Sequence, residues 1–181
     1  MISLEDLQSG LLGLIKSRGV DPTHSYSRHA AASRGLGVVR ETALFWRAFQ
    51  LQNQCPLTCR LLARLGRFEP VLADYFSCNA TSPFVEQLTA DFLRWLRHQD
   101  DELIRAVSQF ELAALQDSEA GEVYEIFWDR DPDRVLLALQ NGSELPAAEK
   151  NARYRVRVDR TLSDGVACIR ERAGPHTAEA P

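Results

Sequence analysis

The stretch EVYEIFW (residues 122–128) decides the fold class of this chain, because the hydrophobic period of the sequence changes there. Its apolar residues alternate with polar ones, which predicts a β-strand. The same two-residue alternation returns in RYRVRV (153–158) and VACIRE (166–171). Between the first two strands, Asp131-Pro132 is a typical helix start and predicts a short helix that ends at Asn141-Gly142. This part of the chain therefore predicts the order strand, helix, strand, strand.

Everything before this stretch favours helices, because apolar residues recur there at spacings of three and four. Helices are predicted after Ser3, from near Val38, from Pro56 to Gly66, from Pro70 to about Ser77, from Ser82-Pro83 and from Asp100-Asp101. Residues 18–37 break the pattern with Gly, Pro, Ser and two His, so we expect a long loop there.

The predicted fold class is α+β. We expect a helical bundle over residues 1–116, a small βαββ module over residues 117–172, and a disordered tail over residues 173–181, where little can be buried. The chain has 181 residues, of which 45% are apolar and 25% charged. These values are ordinary for globular proteins and exclude extensive disorder.

The charge balance is slightly acidic and unevenly placed. The 21 basic and 25 acidic residues give a net charge of −4, which argues against binding that rests mainly on neutralising nucleic-acid phosphates. Residues 1–116 hold twelve of each sign, whereas residues 117–181 hold nine bases and thirteen acids. No apolar run reaches the ~18 residues of a membrane span, and MISLEDLQSG is not a secretory signal, so we expect a bacterial-type cytoplasmic protein.

The sequence contains no motif of a self-sufficient enzyme: no GxSxG, no Gly-rich phosphate loop and no HExxH. The cysteines are Cys55, Cys59, Cys78 and Cys168. We expect reduced thiols that pack as small apolar residues, because no CxxC and no nearby His completes a metal set. His24 and His29 could serve a metal or a proton transfer, but solvated loop residues are the simpler interpretation. We therefore predict no catalytic residue, no metal and no cofactor in this chain.

The strand at residues 153–158 is the most informative segment for binding. Its three arginines share one face, and its apolar residues share the other, which should pack on the helix at residues 132–139. At a sheet edge such a strand can accept an added strand, and an acidic extended peptide would pair with the arginines. The predicted peptide-binding residues are Arg153, Tyr154, Arg155, Val156 and Arg157. A solvated strand face whose charges deter aggregation is the alternative.

Large aromatic residues recur at helical spacing in the first 116 residues. They are Phe45, Trp46, Phe49, Phe92, Trp95 and Phe110. We expect most of them in the core, because large aromatics dominate the burial of small cores. Trp46 follows the expected loop and could instead be an exposed anchor. The residues assigned to a partner interface are Trp46, Arg47, His24 and His29.

Four segments occur in an order that resembles a known family. They are Trp46–Leu51 (WRAFQL), Phe92–Leu96 (FLRWL), Phe110–Ala113 (FELA) and Trp128–Leu136 (WDRDPDRVL). The order resembles that of the helical-plus-β partner proteins found beside multinuclear non-haem iron enzymes that modify cysteine in ribosomally made peptides. The methanobactin and 3-thiaglutamate (pearlin) pathways hold the best-known examples. The resemblance covers most of residues 38–171.

The resemblance implies a non-catalytic subunit of a heterodimer. Such a subunit captures the leader of a precursor peptide with its C-terminal part, which makes the predicted βαββ part a peptide-recognition-like module. The iron and the oxygen chemistry belong to the partner enzyme. That enzyme excises the β-carbon of a C-terminal cysteine in one pathway and converts cysteines to oxazolone and thioamide groups in the other.

The function favoured by these inferences is the maturation of a ribosomally made peptide natural product. The chain would bind the precursor peptide and present its cysteine to an iron-dependent oxidative enzyme. The implied partners are that enzyme subunit and the peptide, with no nucleic acid and no membrane. Two alternatives stay open: a winged-helix-like transcription regulator that binds DNA, and a small enzyme that uses His24 or His29.

Overall fold

The computed structural model of the chain describes residues 3–15, 25–79, 84–115, 123–149, 152–159 and 166–172. These residues form eight α-helices and three β-strands, and the α+β class is confirmed. The helices are α1 (Leu4–Ile15), α2 (Ser25–Ala31), α3 (Arg34–Gln54), α4 (Pro56–Arg64), α5 (Phe68–Cys78), α6 (Val85–Leu96), α7 (Glu102–Leu115) and α8 (Pro132–Asn141). The strands are β1 (Val123–Trp128), β2 (Ala152–Asp159) and β3 (Val166–Arg172). Outside the described residues lie His24, Ser82-Pro83, the predicted boundary between residues 116 and 117, and the predicted tail from residue 173.

Polar caps start several helices where the sequence predicts them. At α1 the Ser3 hydroxyl accepts from the N–H of Asp6 at 3.0 Å, and the N–H of Ser3 donates to the Asp6 carboxylate at 3.3 Å. Asp101 and Asp131 each accept from two backbone N–H groups at the starts of α7 and α8, at 3.0–3.3 Å. These bonds satisfy N–H groups that the first helical turn leaves without a partner.

The described part of the segment at residues 18–37, which begins at residue 25, differs from its prediction as a long loop. Residues 25–31 form α2, and α3 begins at Arg34 instead of near Val38. The Ser33 hydroxyl accepts from the N–H of Gly35 at 3.2 Å and caps the start of α3. Serine, glycine and histidine favour helices weakly, but contacts between α1 and α2 outweigh that local preference.

One hydrophobic core joins helices α3 to α8 with strands β1 and β2. α7 lies at its centre and contacts α4, α6, β1 and β2. Fully buried members of the core include Leu51, Leu61, Phe92, Ile104 and Val107. Burial of a large apolar side chain contributes roughly 1.5–3 kcal/mol. The packing around α7 therefore fixes the position of the sheet relative to the helices.

The three strands form an antiparallel sheet in the order β1-β2-β3. Its apolar face packs mainly on α7, where the rings of Phe110 and Trp128 meet edge to face with centroids 6.4 Å apart. The expectation that this face packs on the helix at residues 132–139 is wrong, because α8 packs mainly on α4. Arg60 donates to the carbonyls of Leu139 and Gln140 at the end of α8, both at 3.3 Å. This contact satisfies carbonyl groups that a helix end leaves free.

Across the described ranges, none of the helices combines the length and the apolar character that a membrane span requires.

Candidate functional site

The strand predicted to bind a peptide lies in the middle of the sheet. β2 pairs with β1 on one side and with β3 on the other, so its backbone N–H and C=O groups face two partners. Strand addition to β2, as expected at a sheet edge, is therefore excluded, and that part of the prediction is wrong. Consecutive antiparallel strands are usually neighbours, and this rule already favours a central β2.

The five predicted peptide-binding residues divide between the two faces of the sheet. Tyr154 and Val156 are 4% and 2% exposed, and they belong to the core. Their side chains cannot contact a peptide, and this corrects their assignment. Arg153 and Arg157 are exposed on the outer face, and Arg155 is half-buried there. Their role in peptide binding stays a prediction.

Charge on the outer face is partly neutralised by the neighbouring strand. The guanidinium of Arg155 lies 3.6 Å from the carboxylate of Glu125 on β1. Glu125 is also the cross-strand partner of Arg157. The arginine row is therefore a mixed surface around these two residues. Arg153 lies farther along the strand, and its cross-strand partner is Glu171 on β3.

A groove runs along β1, between that strand and the helices α6 and α7. It consists of two clefts of about 300 and 190 Å³ that share Arg97 and Gln109 in their walls. We call it the β1 groove, and its residues include Arg94, Arg97, Arg105, Gln109, residues 124–129 and Arg153. Because residues 124–128 belong to β1, nearly the whole strand faces this groove.

β1 is an edge strand in the described part of the chain, since β2 is its one partner there. An edge strand directs alternate N–H and C=O groups away from its sheet, where an added strand can pair with them. Phe127 is 58% exposed beside this edge and offers an apolar contact. The indole N–H of Trp128 has no acceptor among the described residues, but this side chain is only 2% exposed and belongs to the core.

Among the described residues, the charges of the β1 groove that form no ion pair are cations. The three acids in its walls form ion pairs, as do two of its arginines. These pairs are Glu102–Arg105 at 3.8 Å, Glu125–Arg155 at 3.6 Å, Asp129–Arg130 at 2.6 Å and Arg94–Asp91 at 2.9 Å. Arg97 and Arg153 form no ion pair with any side chain that the structure describes. The groove therefore favours an anionic ligand at these two positions.

The predicted partner-interface residues lie on two separate helices. Trp46 is 57% exposed on α3, and His29 is exposed on α2, while His24 lies outside the described residues. Arg47 is half-buried and its guanidinium stacks 5.0 Å from the ring centroid of Phe76 on α5. Burial lowers the pKa of Arg47 below its usual value. Arg47 thus packs within the chain, and the interface stays a prediction carried by Trp46 and His29.

A buried carboxylate and two buried thiols lie at the start of α4. The two carboxylate oxygens of Glu111 accept from the backbone N–H groups of Leu57 and Thr58, both at 2.8 Å. Burial raises the pKa of Glu111, although these bonds oppose the shift. The Cys55 and Cys59 sulfurs are 3.9 Å apart, and the neighbouring thiol and burial raise the pKa of Cys55. Thiols in this setting are unreactive.

Two cysteine predictions have different outcomes. Cys55 and Cys59 are buried, as expected for small apolar residues, but Cys78 is exposed near the end of α5, so its predicted burial is wrong. A side chain at a helix terminus is covered only if another element crosses there, and sequence spacing does not report such a crossing. The side chain of Cys168 lies outside the described part of the chain.

Metal ligands are not clustered in the described ranges: no three His, Cys, Asp or Glu residues there stand in an arrangement that could hold an ion. Comparisons with protein-family models, with curated proteins and with solved structures find no match for this chain. The functional interpretation therefore depends on the geometry of the β1 groove and of α3.

Proposed function

We propose that this chain is a non-catalytic binding subunit that holds an extended acidic peptide in the β1 groove and presents it to a partner enzyme. The observation that carries the proposal is the edge of β1, which has β2 as its one strand partner among the described residues, beside Arg97 and Arg153, which form no ion pair with any described side chain. Edge pairing would supply affinity through the peptide backbone, and the groove walls would supply selectivity.

The charge and form of the peptide follow from the groove. A ligand that pairs with β1 is extended, and alternate side chains point to opposite faces of the sheet. On one face these side chains meet Phe127 and Arg153, so we expect an apolar and an acidic residue two positions apart in the bound segment.

Presentation by such a subunit would accelerate the reaction of another protein. Holding a reacting group in the correct orientation can contribute about 7–11 kcal/mol to lowering a barrier. The resemblance described above suggests the identity of the components. The ligand would be a ribosomally made precursor peptide, the reacting group its cysteine, and the partner an iron-dependent oxidative enzyme that forms a heterodimer with this chain in the cytoplasm.

A peptide suits this groove better than duplex DNA does. Proteins that bind DNA through its backbone commonly contact roughly 6–10 phosphates. The β1 groove offers two arginines that form no ion pair among the described residues, and the outer face of the sheet beside it includes Glu125. DNA binding by a winged-helix-like arrangement remains the alternative interpretation of the sequence, and no contact among the described residues favours it.

Selection of peptides by the purified chain tests the proposal. Random 12-residue peptides displayed on phage would be selected for binding to the immobilised protein. The enriched sequences would then be synthesised with a fluorescent label to measure their affinity. We expect Asp or Glu two positions from an apolar residue in them. The double variant R97A/R153A should bind such peptides about tenfold more weakly, because each exposed pair contributes up to ~1 kcal/mol. Amide hydrogen exchange should slow in β1 when the peptide binds.

The double variant R28A/R134A is the matched control, since it removes two exposed arginines outside the groove and leaves the ion pairs of the groove in place. Its affinity for the selected peptides should change little. If R28A/R134A loses as much affinity as R97A/R153A does, the β1 groove is not the site. Failure to enrich any peptide would remove the proposal altogether.

A further inference from the structure

The outer side of α3 carries an exposed aromatic ridge. Phe45, Trp46 and Phe49 are 63%, 57% and 47% exposed. Their rings meet edge to face, with centroids 5.9 Å apart for Phe45 and Trp46 and 6.0 Å apart for Trp46 and Phe49. Val38, 63% exposed, extends the apolar surface toward the start of the helix. Contiguous exposed apolar surface of this kind marks interaction sites, unlike isolated exposed residues.

The inward side of α3 combines the fully buried Leu51 with Arg40, which donates to the Leu14 carbonyl, and Arg47, which stacks on the Phe76 ring. The aromatic ridge on the other side leaves a contiguous apolar surface in contact with water. The described residues cover one side of α3, with contacts from α1, α4 and α6. The opposite side is therefore expected to be covered when the protein functions.

A groove of about 660 Å³ lies beside the ridge, between α3 and α5. Its apolar walls include Leu44, Phe45 and Phe49 on α3 and Phe68 and Leu72 on α5. We call it the α3–α5 groove. A trough bounded by two helices is a common receptor for the apolar face of a third helix.

The charges of this groove have one sign. Glu41 and Glu69 are exposed in its walls, and among the described residues that line it there is no Lys or Arg. A ligand that fills the groove with apolar side chains would bring its flanking charges to these two carboxylates. Cations at those positions would be attracted, and anions would be repelled.

We propose that the α3–α5 groove docks an amphipathic helix of a partner protein, with apolar residues at positions i, i+3 or i+4, and i+7 and with Lys or Arg beside them. A second copy of this chain fits less well, because a two-fold axis through the groove would bring the same carboxylates together. The site is separate from the β1 groove and goes beyond peptide binding there. Its failure would leave the proposed function of the β1 groove intact.

Two designed helical peptides test the proposal by fluorescence anisotropy. Both have 18 residues and the same leucines at helical spacing, one with Lys and the other with Glu at every flanking position. We expect the Lys peptide to bind the full chain at least about tenfold more tightly than the Glu peptide. The variant E41K/E69K should reverse this preference, which loss of folding cannot mimic. The single variant E41K should reduce the preference.

The matched control is E86K/E144K, which makes the same change of net charge at exposed residues outside the groove and should keep the preference for the Lys peptide. Equal binding of both peptides, or no binding of either, would overturn the proposal. A concentration-dependent dimer that W46A abolishes would also overturn it, because a second copy would then cover the ridge.

Discussion

α3 and α6 carry aromatic residues at helical spacing and use them in opposite ways. On α6, Phe92 is fully buried and the Trp95 ring is stacked 6.4 Å from it. Tyr75 of α5 closes this cluster, with its ring 5.1 Å from Phe92 and 5.4 Å from Trp95, and burial raises the pKa of Tyr75 to about 12. On α3, by contrast, Trp46 and its two aromatic neighbours lie at the surface.

The difference shows that aromatic spacing reports a shared helix face without reporting which face meets the core. The inward side of α3 is occupied by arginines. Arg40 donates to the carbonyl of Leu14 at 2.8 Å, and Arg47 stacks on Phe76. Long arginine stems can cover apolar surface while their charged ends find polar or aromatic partners. The aromatic side of α3 is thereby left for another molecule.

The largest expected effect distinguishes α6 from α3 by the free energy of unfolding. F92A should lower the free energy of unfolding by about 3–5 kcal/mol, because it removes a fully buried ring from the core. F45A should change it by no more than about 0.5 kcal/mol, because the exposed ring packs little within the chain. Urea unfolding of the two variants measures both values. A large loss of stability in F45A would mean that the α3 ridge belongs to the core after all.

A second pair of variants compares the buried carboxylate of Glu111 with the exposed carboxylate of Glu41, and we expect a smaller loss of stability than for F92A. E111A should lower the free energy of unfolding by about 1–3 kcal/mol, because two backbone N–H groups at the start of α4 lose their acceptors. E41A, which removes an exposed carboxylate on α3, should change it by no more than about 0.5 kcal/mol. Equal losses in the two variants would contradict the structural role given to Glu111.

The pH dependence of stability gives a second readout for Glu111. Its folded-state pKa lies above the ordinary value of 4.5, so the folded chain holds this proton more tightly than the unfolded chain does. The contribution of Glu111 to stability is therefore complete below about pH 4.5 and decreases as the pH rises through the folded-state pKa. Urea unfolding at a series of pH values measures this decrease in the free energy of unfolding. The decrease should be absent in E111Q and present in E41Q. If the stability of the wild type and of E111Q changed with pH in the same way, the raised pKa of Glu111 would be contradicted.

Much of the fold was predictable because its signals are local. Ser3, Asp101 and Asp131 start helices through bonds that lie within four residues of each cap. Strand alternation placed β1 and β2 within one residue of their observed bounds. α2 was missed because its seven residues lack a strong pattern of their own, and contacts with α1 hold it in place. Contacts between segments that are distant in sequence produce no local sequence pattern from which they could be predicted.

The candidate site was predictable only in part, for the same reason. Alternation indicated that Arg153 faces outward, but it did not indicate which strand lies at the edge of the sheet. Arg97 was missed because it follows α6, and only the packing of α6 and α7 against the sheet brings it beside β1. The exposure of Trp46 depends on which side of α3 the arginines occupy. Each of these facts is a property of packing between elements.

The smallest expected effect isolates the exposed ring of Trp46 from the other two tryptophans. Trp46 is 57% exposed and Trp128 only 2%, and Trp95 packs against Phe92. W46F should therefore remove most of the fluorescence that acrylamide quenches and shift the remaining emission to shorter wavelength, with a stability change within about 0.5 kcal/mol. W95F, the control, should leave the quenchable fraction in place. Quenching that is unchanged in W46F would mean that the α3 ridge is already covered in the isolated protein, and its contrast with α6 would then disappear.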